Sequence, residues 1–409
     1  MTKLFTLSLI IFIFAANDIF SCTTFIISGK FTSDGKPILF KNRDTDEMQN
    51  SLVLFTDGNY RYIGLVNGDE SWKEMVWGGY NETGFAIINS AAYNNNSGDT
   101  TKLADREGII MKLALMHCRT LKDFENMLDT LPKPLGVDAN FGVIDAYGGA
   151  AYYETGNFNY KRYDADDPSV CENGVLIRTN HSMRGKKEEG FGFCRFATAT
   201  EGLMSASKQK KLTPQYLFSI TSRNLKHSLT GTNLMDNLPK SKEKPEYRFF
   251  IDFIPRNSTA SAVMIVGAKN AESARHTVMW TILGFPLTSV AVPAWITASN
   301  ALPEAVKLGE GLKSPLCTAA LKLKEECFPI TYDRGWNYIN LAAVVNKKND
   351  GIMQLLKPVE DEIFKTAGKL ITDLEKEKKS EKDIIDFYNW VDGHLNKSYN
   401  KLFRIKISG

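Results

Sequence analysis

Apolar and polar residues alternate in short runs through the first half of the chain, and the runs are separated by turn-forming residues. Residues 23–28 are β-branched and aromatic, the dipeptide Asp34-Gly35 follows, and residues 37–43 return as a second strand. The pattern recurs around Asp57-Gly58, in "GGYNETGFAIINSAAY", and in a pair of runs that turns at residues 147–149. This half of the chain is therefore predicted to form antiparallel hairpins.

Helices are predicted between these strands and after them. Apolar residues recur every three or four positions in residues 105–119, 121–131 and 196–208, and again in the charged stretches 359–378 and 381–402. Strand patterns return in "YRFFIDFI" and "STASAVMIVG", and "TVMWTILGFPLTSVAVPAWI" is typical of buried strand and loop. Hairpins followed by helices and then by further strands indicate a layered α+β domain and not alternating βαβ units.

The N-terminus has the pattern of an export signal. Lys3 precedes a mostly apolar stretch, residues 4–16, and the small residue Ser21 stands at the distance of a cleavage site. We expect a signal peptide at residues 1–21 and one domain at 22–409 with a helical C-terminal extension from about residue 350. The protein is then exported, periplasmic or secreted. The alternative is that the apolar stretch is a buried helix of the fold.

Composition and cysteine spacing exclude several kinds of partner. The 409 residues are 43% hydrophobic and 24% charged with a net charge of +3, and the basic residues are scattered, so neither nucleic acid nor a membrane span is expected. The six cysteines form no CxxC pair and no Cys/His cluster with zinc spacing, so no metal and no cofactor are predicted. Cys317 with Cys327 and Cys171 with Cys194 are candidate disulfides of an exported chain.

Cys22 stands immediately after the expected cleavage site and one residue before a strand. A free thiol is mostly protonated near neutral pH and needs a base to become a nucleophile. Cleavage after Ser21 would give Cys22 an α-amino group with a pKa of about 8, which can take the thiol proton and return it to a leaving group. Export would then create a catalyst.

The first hairpin brings a carboxylate to this cysteine. With the turn centred on Asp34-Gly35, Phe25 lies opposite Asp44, so Asp44 would lie near the start of the first strand and hold the α-ammonium. The alternative for Asp44 is a surface charge at the end of a strand.

Other interpretations of Cys22 remain open. "IFSC" is a loose lipobox, so Cys22 could carry lipid and tether a binding protein, although a strand begins at once where a flexible tether is usual. Cys22 could also be a buried or disulfide-bonded residue near the terminus. His181 could form a Cys-His pair that needs no cleavage. Glu154 is interpreted as part of a strand face.

Five motifs in this order resemble a known family. "CTTF", "KNRD", "NETGFAIIN", "RTNHS" and "CRF" are similar to motifs of the N-terminal-nucleophile (Ntn) hydrolases of the choloylglycine hydrolase and penicillin V acylase superfamily. The Asn-His pair within "RTNHS" is similar to a pair common in the acyl-CoA:6-aminopenicillanic acid acyltransferase-like group, so the chain resembles that group more closely. The resemblance spans about residues 22–295 and implies an αββα sandwich of two antiparallel sheets between helical layers.

The resemblance also implies roles for particular residues. Cys22 would be the nucleophile and Asp44 the carboxylate that binds its amine. Asn180 and Asn89 would line the oxyanion site, and Arg195 would support the nucleophile. The family usually has an arginine three residues before the aspartate.

Lys41 stands at that arginine's position, and Arg43 adjoins Asp44, so a basic, substrate-binding role is divided between these two residues. A lysine supplies a point charge where an arginine supplies a planar fork.

The expected function is hydrolysis of a linear amide in a small-molecule N-acyl substrate through a Cys22 thioester. Acyl transfer to an amine and a cysteine dipeptidase-like activity are the enzymatic alternatives, and a homo-oligomer is possible. We expect "YIGLV", "MVWGGY" and "FFIDFIP" to contribute to a pocket that prefers bulky apolar acyl groups.

Overall fold

A computed structural model describes residues 21–407. The expected signal peptide therefore lies outside the described residues except for Ser21. The strands are β1 (Thr23–Ile27), β2 (Ile38–Asp44), β3 (Asn50–Phe55), β4 (Tyr62–Asn67), β5 (Gly79–Asn81), β6 (Ala86–Ala91), β7 (Ala139–Ile144), β8 (Ala150–Thr155), β9 (Tyr160–Asp164), β10 (Val175–Arg178), β11 (Lys226–His227), β12 (Thr232–Asn233), β13 (Tyr247–Phe249), β14 (Thr259–Val266), β15 (Val278–Leu283), β16 (Ala291–Ala294) and β17 (Tyr338–Asn340). The helices are α1 (Glu107–His117), α2 (Leu121–Thr130), α3 (Phe193–Lys208), α4 (Pro214–Ile220), α5 (Pro315–Cys327), α6 (Leu341–Val344), α7 (Ile352–Glu375) and α8 (Glu381–Phe403).

Two antiparallel sheets form the centre of the molecule. The first has six strands in the order β10-β1-β2-β14-β15-β16, and the second has seven strands, β3 to β9, in sequence order. The sheets face each other where β1 and β2 contact β6 and β7. Helix α1 packs on the outside of the second sheet, and α3, α5 and α7 pack on the outside of the first. The predicted αββα sandwich is confirmed.

The first hairpin has a different register from the predicted one. Phe25 pairs with Phe40, not with Asp44, because the connection is longer than a two-residue turn and contains a 3₁₀ turn at Gly29–Phe31. Asp44 nevertheless lies beyond the first residue of β1, since Thr23 pairs with Asn42. Strand β2 therefore continues past β1 and carries Asp44 to the level of the residues before Thr23.

Several predicted elements have different bounds. Helix α3 begins three residues earlier than expected, and α7 begins at Ile352 and includes Pro358. In "YRFFIDFI" only Tyr247–Phe249 is a strand, and it pairs with β17. The remainder is loop, because Asp252 has a φ of +61°, a left-handed conformation that ends an extended strand.

The apolar side chains form two clusters. One fills the space between the sheets and continues under α7 and α8, and the other lies between the second sheet and helices α1 and α2. At the centre of the first, Phe25 and Phe40 stack with ring centroids 4.6 Å apart. The C-terminal helices belong to this core, since the Tyr388 hydroxyl accepts from the Trp295 backbone nitrogen at 2.7 Å.

All six cysteines lie within the described residues, and all six are unbonded. Cys317 and Cys327 lie ten residues apart in α5, which separates them by about 15 Å along the helix axis, whereas a disulfide needs Cα atoms within about 7 Å. The candidate pair Cys317–Cys327 is therefore wrong, and Cys171 and Cys194 are likewise not joined. Within residues 21–407, none of the helices combines the length and apolar character needed to cross a bilayer.

Candidate active site

Cys22 lies at the wall of a cavity of about 470 Å³. Its side chain is buried, with 8% of the residue exposed, and it stands one residue before β1 at the edge where β2 extends beyond its neighbour. The predicted residues that share this cavity are Cys22, Lys41, Arg43, Asp44 and Asn89. The structure thus brings together five of the seven residues singled out in the sequence.

Arg195 fixes the backbone at Cys22. Its guanidinium donates to the Cys22 carbonyl at 2.5 Å and to the Thr23 hydroxyl at 3.0 Å. A further bond at 2.9 Å joins it to the side-chain oxygen of Asn180. Burial, with the nearby Arg256 adding to it, lowers the pKa of Arg195 to about 9. Arg195 therefore lies behind the cavity and holds the position of the nucleophile candidate.

Asp44 is fully buried and held by three partners. Its carboxylate accepts from the Thr259 hydroxyl at 2.6 Å and from the Asn42 amide at 3.1 Å. Arg256 donates to the other carboxylate oxygen at 2.8 Å and also to the Ser21 carbonyl at 3.0 Å. These hydrogen bonds and the cation offset the free-energy cost of removing the carboxylate from water. Arg256 thereby connects Asp44 to the residue that precedes Cys22.

Lys41 is the first of two buried cations in the cavity. Its ammonium donates to the Asn89 side-chain oxygen at 2.6 Å and to the Trp77 carbonyl at 2.9 Å. Burial lowers the pKa of Lys41 to about 8, although the proximity of Cys22 opposes this shift. The Asn89 amide nitrogen makes no hydrogen bond to a described residue, so it is a donor available to the cavity.

Arg43 is the second buried cation. It donates to the side-chain oxygens of Asn50 and Asn67, both at 2.8 Å, and its guanidinium lies 4.7 Å from the centre of the Trp77 ring. Burial lowers the pKa of Arg43 to about 10. Among the described residues neither Lys41 nor Arg43 forms an ion pair. Their charges are therefore available to an anionic group in the cavity.

Carboxylates occupy other parts of the cavity wall. Besides Asp44, these residues are Asp46, Glu47, Asp99, Asp105, Glu107 and Asp138. Glu107 begins α1 and accepts from the Asp138 backbone nitrogen at 3.3 Å. Burial raises the pKa of Glu107 to about 7 and also raises the pKa of Asp138. Apart from Asp44, which pairs with Arg256, the cations and carboxylates of this wall form no ion pair with a described residue.

Asn180 and His181 lie outside this cavity. The Asn180 amide donates to the Ala91 carbonyl at 2.8 Å, and its oxygen is engaged with Arg195. His181 has its Nδ1 3.1 Å from the Thr179 hydroxyl, and its ring packs edge-on against Phe196. Since His181 does not line the cavity with Cys22, the geometry gives no support to a Cys-His pair.

Glu154 has the structural place expected of it. It is fully buried, accepts from Arg178 at 2.8 Å and also accepts from two backbone nitrogens. The pocket prediction was wrong for two of its three apolar segments. "YIGLV" is core strand β4, "FFIDFIP" does not line the cavity, and only Trp77 of "MVWGGY" does so.

Sequence reasoning missed Arg256, Thr259 and Glu107. Arg256 and Thr259 meet Asp44 because β14 pairs with β2, so that Thr259 lies opposite Asp44 across 215 residues of sequence. No local pattern indicates such a pairing. Glu107 gave one signal, an acidic residue in the first turn of a predicted helix, but that feature ordinarily marks a solvated helix start.

Comparisons with known proteins agree with this architecture. The family model for acyl-coenzyme A:6-aminopenicillanic acid acyl-transferase matches residues 31–249. This range includes Asp44, Asn89, Asn180 and Arg195 and begins after Cys22. No curated protein matches the chain.

Solved structures with similarity to the chain have low sequence identity. An N-acylethanolamine-hydrolyzing acid amidase ortholog from Caenorhabditis elegans is 14% identical, with 60% of this chain and 92% of that chain covered and a TM-score of 0.40. Penicillin V acylase from Agrobacterium tumefaciens is 14% identical, with 68% and 87% covered and a TM-score of 0.40. A mutant of conjugated bile acid hydrolase from Clostridium perfringens is 10% identical, with 69% and 93% covered and a TM-score of 0.41.

The family assignment rests on the family model, which covers more than half of the chain. It agrees with the order of motifs along the sequence and with the two facing antiparallel sheets. The chain belongs to the acyl-coenzyme A:6-aminopenicillanic acid acyl-transferase family, the branch of the Ntn hydrolases that its motifs indicated.

Proposed function

We propose that this protein is an amidohydrolase in which Cys22, exposed as the N-terminal residue, cleaves the amide bond of a small N-acyl substrate. The family supports an enzyme that hydrolyses amides or transfers acyl groups. The observation that carries the proposal is the position of Cys22 between two arginines. Arg256 binds the carbonyl of the residue before it, Arg195 binds its own carbonyl, and Cys22 itself lines the cavity.

The proposed reaction has two steps. The α-amine takes the thiol proton, and the Cys22 sulfur attacks the substrate carbonyl, so that a carbon–sulfur bond forms while the carbon–nitrogen bond breaks. The proton passes to the departing amine. Water then attacks the thioester and releases the acid with the thiol restored. If an amine replaces water in this second step, the same site is an acyltransferase.

The cavity supplies groups for the developing charge. The Asn89 amide nitrogen can donate to the oxyanion, while Lys41 holds the Asn89 oxygen in place. Asp44 lies near the backbone at Ser21 and Cys22. Held in place by Arg256, its carboxylate would accept from the α-ammonium left by cleavage. Arg195 and Asn180 act as positioning residues, because Arg195 binds the Cys22 carbonyl and the Thr23 hydroxyl, and Asn180 binds Arg195.

The wall of the cavity favours a charged substrate over a long apolar one. Lys41 and Arg43 would bind an anionic group, and Glu107 with Asp138 would bind a cationic group or a hydrogen-bond donor. An N-acyl compound that carries both an anionic and a cationic group, such as an acylated amino acid or a small peptide, matches the charges of this wall. A compound with a steroid or fatty acyl group matches them less well.

A kinetic series tests the proposal. Mature protein is assayed on amides that share one amine, with acetyl, phenoxyacetyl, decanoyl and α-aminoacyl groups. We expect turnover, a hydroxamate when hydroxylamine competes with water, and the highest kcat/KM for the charged acyl group. Absence of a trapped acyl group with every substrate would contradict the thioester mechanism. A preference for decanoyl would contradict the assignment of the cavity.

The mass of the mature N-terminus separates this function from lipid tethering. A free Cys22 supports catalysis, and a diacylglyceryl adduct would support a tethered binding protein instead. The start of β1 at Thr23 favours the free form, since a lipid on Cys22 would have to enter the fold.

A further inference from the structure

A second cluster of reactive side chains lies beside the Cys22 site but does not belong to its cavity. The Cys194 sulfur, a ring nitrogen of His227 and a carboxylate oxygen of Asp252 all lie within 4.8 Å of one another. They come from the first turn of α3, from β11 and from the loop after β13. In sequence they are 33 and 25 residues apart, so no spacing motif reveals them.

The arrangement is a triangle and not a line. In a Cys-His-Asp catalytic triad the histidine stands between the other two groups, which keeps the sulfur and the carboxylate apart. Here each of the three atoms is close to both others. Zinc–ligand bonds of about 2.0 to 2.3 Å place tetrahedral ligand atoms roughly 3.3 to 3.8 Å apart, so only a small contraction would bring these atoms around one ion.

Contacts with two neighbours fix the orientation of the histidine ring. Its Nδ1 accepts from the Thr230 backbone N–H at 3.3 Å and lies 3.2 Å from the Thr230 hydroxyl. Phe253 packs edge-on against the ring at 5.5 Å and restricts its rotation.

The other two groups have no competing partner. Among the described residues the Cys194 thiol makes no hydrogen bond to another side chain, and the Asp252 carboxylate makes neither a hydrogen bond nor an ion pair. Both side chains are half-buried, and both place a ligand atom towards the same point as the His227 ring.

We propose that Cys194, His227 and Asp252 bind one zinc ion, with a fourth position open to water. Thiolate, imidazole and carboxylate together are ligands that zinc accepts, whereas magnesium and calcium prefer oxygen alone. The ion would tie the first turn of α3 to β11 and to the loop that contains Asp252. Cys194 adjoins Arg195, so the zinc would also restrain the arginine that binds the Cys22 carbonyl. Zinc binding itself is independent of the proposed enzymatic function.

The test measures metal binding to the full chain in a Cys22→Ala background, which removes the nucleophile as a competing ligand. The probes are zinc, quantified per chain after dialysis and by chelator competition, and cobalt(II), whose thiolate bond gives a charge-transfer band in the near ultraviolet. We expect one zinc per chain and a cobalt–thiolate band. Saturating zinc should also raise the Tm.

The variants are conservative so that the fold is retained. Cys194→Ser, His227→Gln and Asp252→Asn should each weaken zinc binding by about 100-fold or more, since even partners behind a ligand contribute about 10- to 100-fold. Asparagine also tolerates the left-handed backbone at position 252.

Cys171→Ala is the matched control, because Cys171 is also partly exposed and unbonded but lies outside the cluster. It should bind zinc as the parent does. Circular dichroism establishes that each variant is folded. The proposal is overturned if the parent binds no zinc, if the cobalt complex lacks the thiolate band, or if folded Cys194→Ser and His227→Gln bind zinc with unchanged affinity.

Discussion

At the scale of single residues, Cys22 differs from the buried cysteines of the core. Burial raises the pKa of Cys118 and of Cys317 to about 12, and it raises the pKa of Cys327 as well. Thiols of this kind remain protonated and inert near neutral pH. Among the six cysteines, all of which the structure describes, only Cys22 lines the cavity that contains Lys41 and Arg43.

We therefore expect Cys22→Ala to abolish turnover while the fold is retained, since the other thiols cannot replace the nucleophile. The measurement is kcat on a substrate that the mature protein cleaves, with circular dichroism of each variant. Cys171→Ala is the control and should keep the parental kcat. Turnover by folded Cys22→Ala would show that the nucleophile is a different group.

Asn89 is the side-chain donor that the geometry offers to an oxyanion. Asn89→Ala should lower kcat by about 10²- to 10³-fold with little change in KM, because the donor acts mainly in the transition state. Thr101→Ala changes another residue of the same cavity wall and should leave kcat within a factor of a few. An equal loss in both variants would indicate a general disturbance of the cavity and not a missing donor.

Glu107 gives the molecule a pH dependence whose sign can be stated. Burial raises its pKa from 4.5 to about 7, so between these values the folded chain retains a proton that the unfolded chain has lost. This contribution to the free energy of unfolding is full below about pH 4.5 and is lost as the pH rises to about 7. Glu107→Gln lacks the titration and should gain roughly 1 to 3 kcal/mol over the parent between pH 5 and pH 8.

Urea unfolding of both proteins at the two pH values measures this difference. Asp138 is present in both proteins, and its charge contributes to the raised pKa of Glu107. A difference between parent and variant that is the same at pH 5 and pH 8 would contradict the raised pKa.

At the scale of elements, three neighbouring strands assemble the site. β1 follows Cys22, β2 carries Lys41, Arg43 and Asp44, and β14 supplies Thr259 opposite Asp44. Because these strands are hydrogen-bonded in the order β1-β2-β14, a buried carboxylate on the middle strand can be reached from both sides. Arg256, on the loop before β14, completes this arrangement.

The Asp44–Arg256 pair should be energetically coupled. Arg256→Gln leaves a buried carboxylate without its cation and should lower the free energy of unfolding by about 3 kcal/mol. Adding Asp44→Asn should recover part of this loss, and a double-mutant cycle in urea measures the coupling. The control is Arg275→Ala, which breaks an exposed pair with Glu377 and should cost less than about 1 kcal/mol. Additive single effects at Asp44 and Arg256 would contradict a direct interaction.

At the scale of the whole molecule, the C-terminal helices complete the core and do not form a separate appendage. Apolar residues of α7 and α8 belong to the same cluster as Phe25 and Phe40, and Tyr388 is bonded to the backbone at Trp295 in the segment after β16. Helix α7 packs on the outer side of the first sheet, the sheet that positions Cys22 and Asp44, and α8 packs on α7.

Leu395 in α8 is fully buried, so Leu395→Ala should lower the free energy of unfolding by about 2 to 5 kcal/mol through lost burial and the cavity that remains. Lys397→Ala, an exposed change on the same helix, should alter it by less than about 0.5 kcal/mol. Thermal and urea unfolding give the two values. If Leu395→Ala is as stable as the parent, the C-terminal helices do not contribute to the core as described.

Local patterns in the sequence are sufficient to predict the elements and the chemistry that is local to them. Period-two runs and turn residues are sufficient for the hairpins of the second sheet, and the charged amphipathic pattern is sufficient for α7 and α8, because these signals arise from contacts between near neighbours. The same reason applies to the candidate site residues at the N-terminus. One hairpin contains Cys22, Asp44 and the basic residues between them, so the local sequence indicates them as a group.

Which distant groups meet follows from the tertiary structure and not from any local pattern. The register of the first hairpin depended on a 3₁₀ turn that a two-residue turn rule does not include, and so Phe25 pairs with Phe40. Arg256 reaches Asp44, and Cys194 approaches His227 and Asp252, through strand pairing and helix packing between segments far apart in the chain. Such pairings are chosen by the burial of whole sheet faces and not by the residues that meet, so no local pattern contains them.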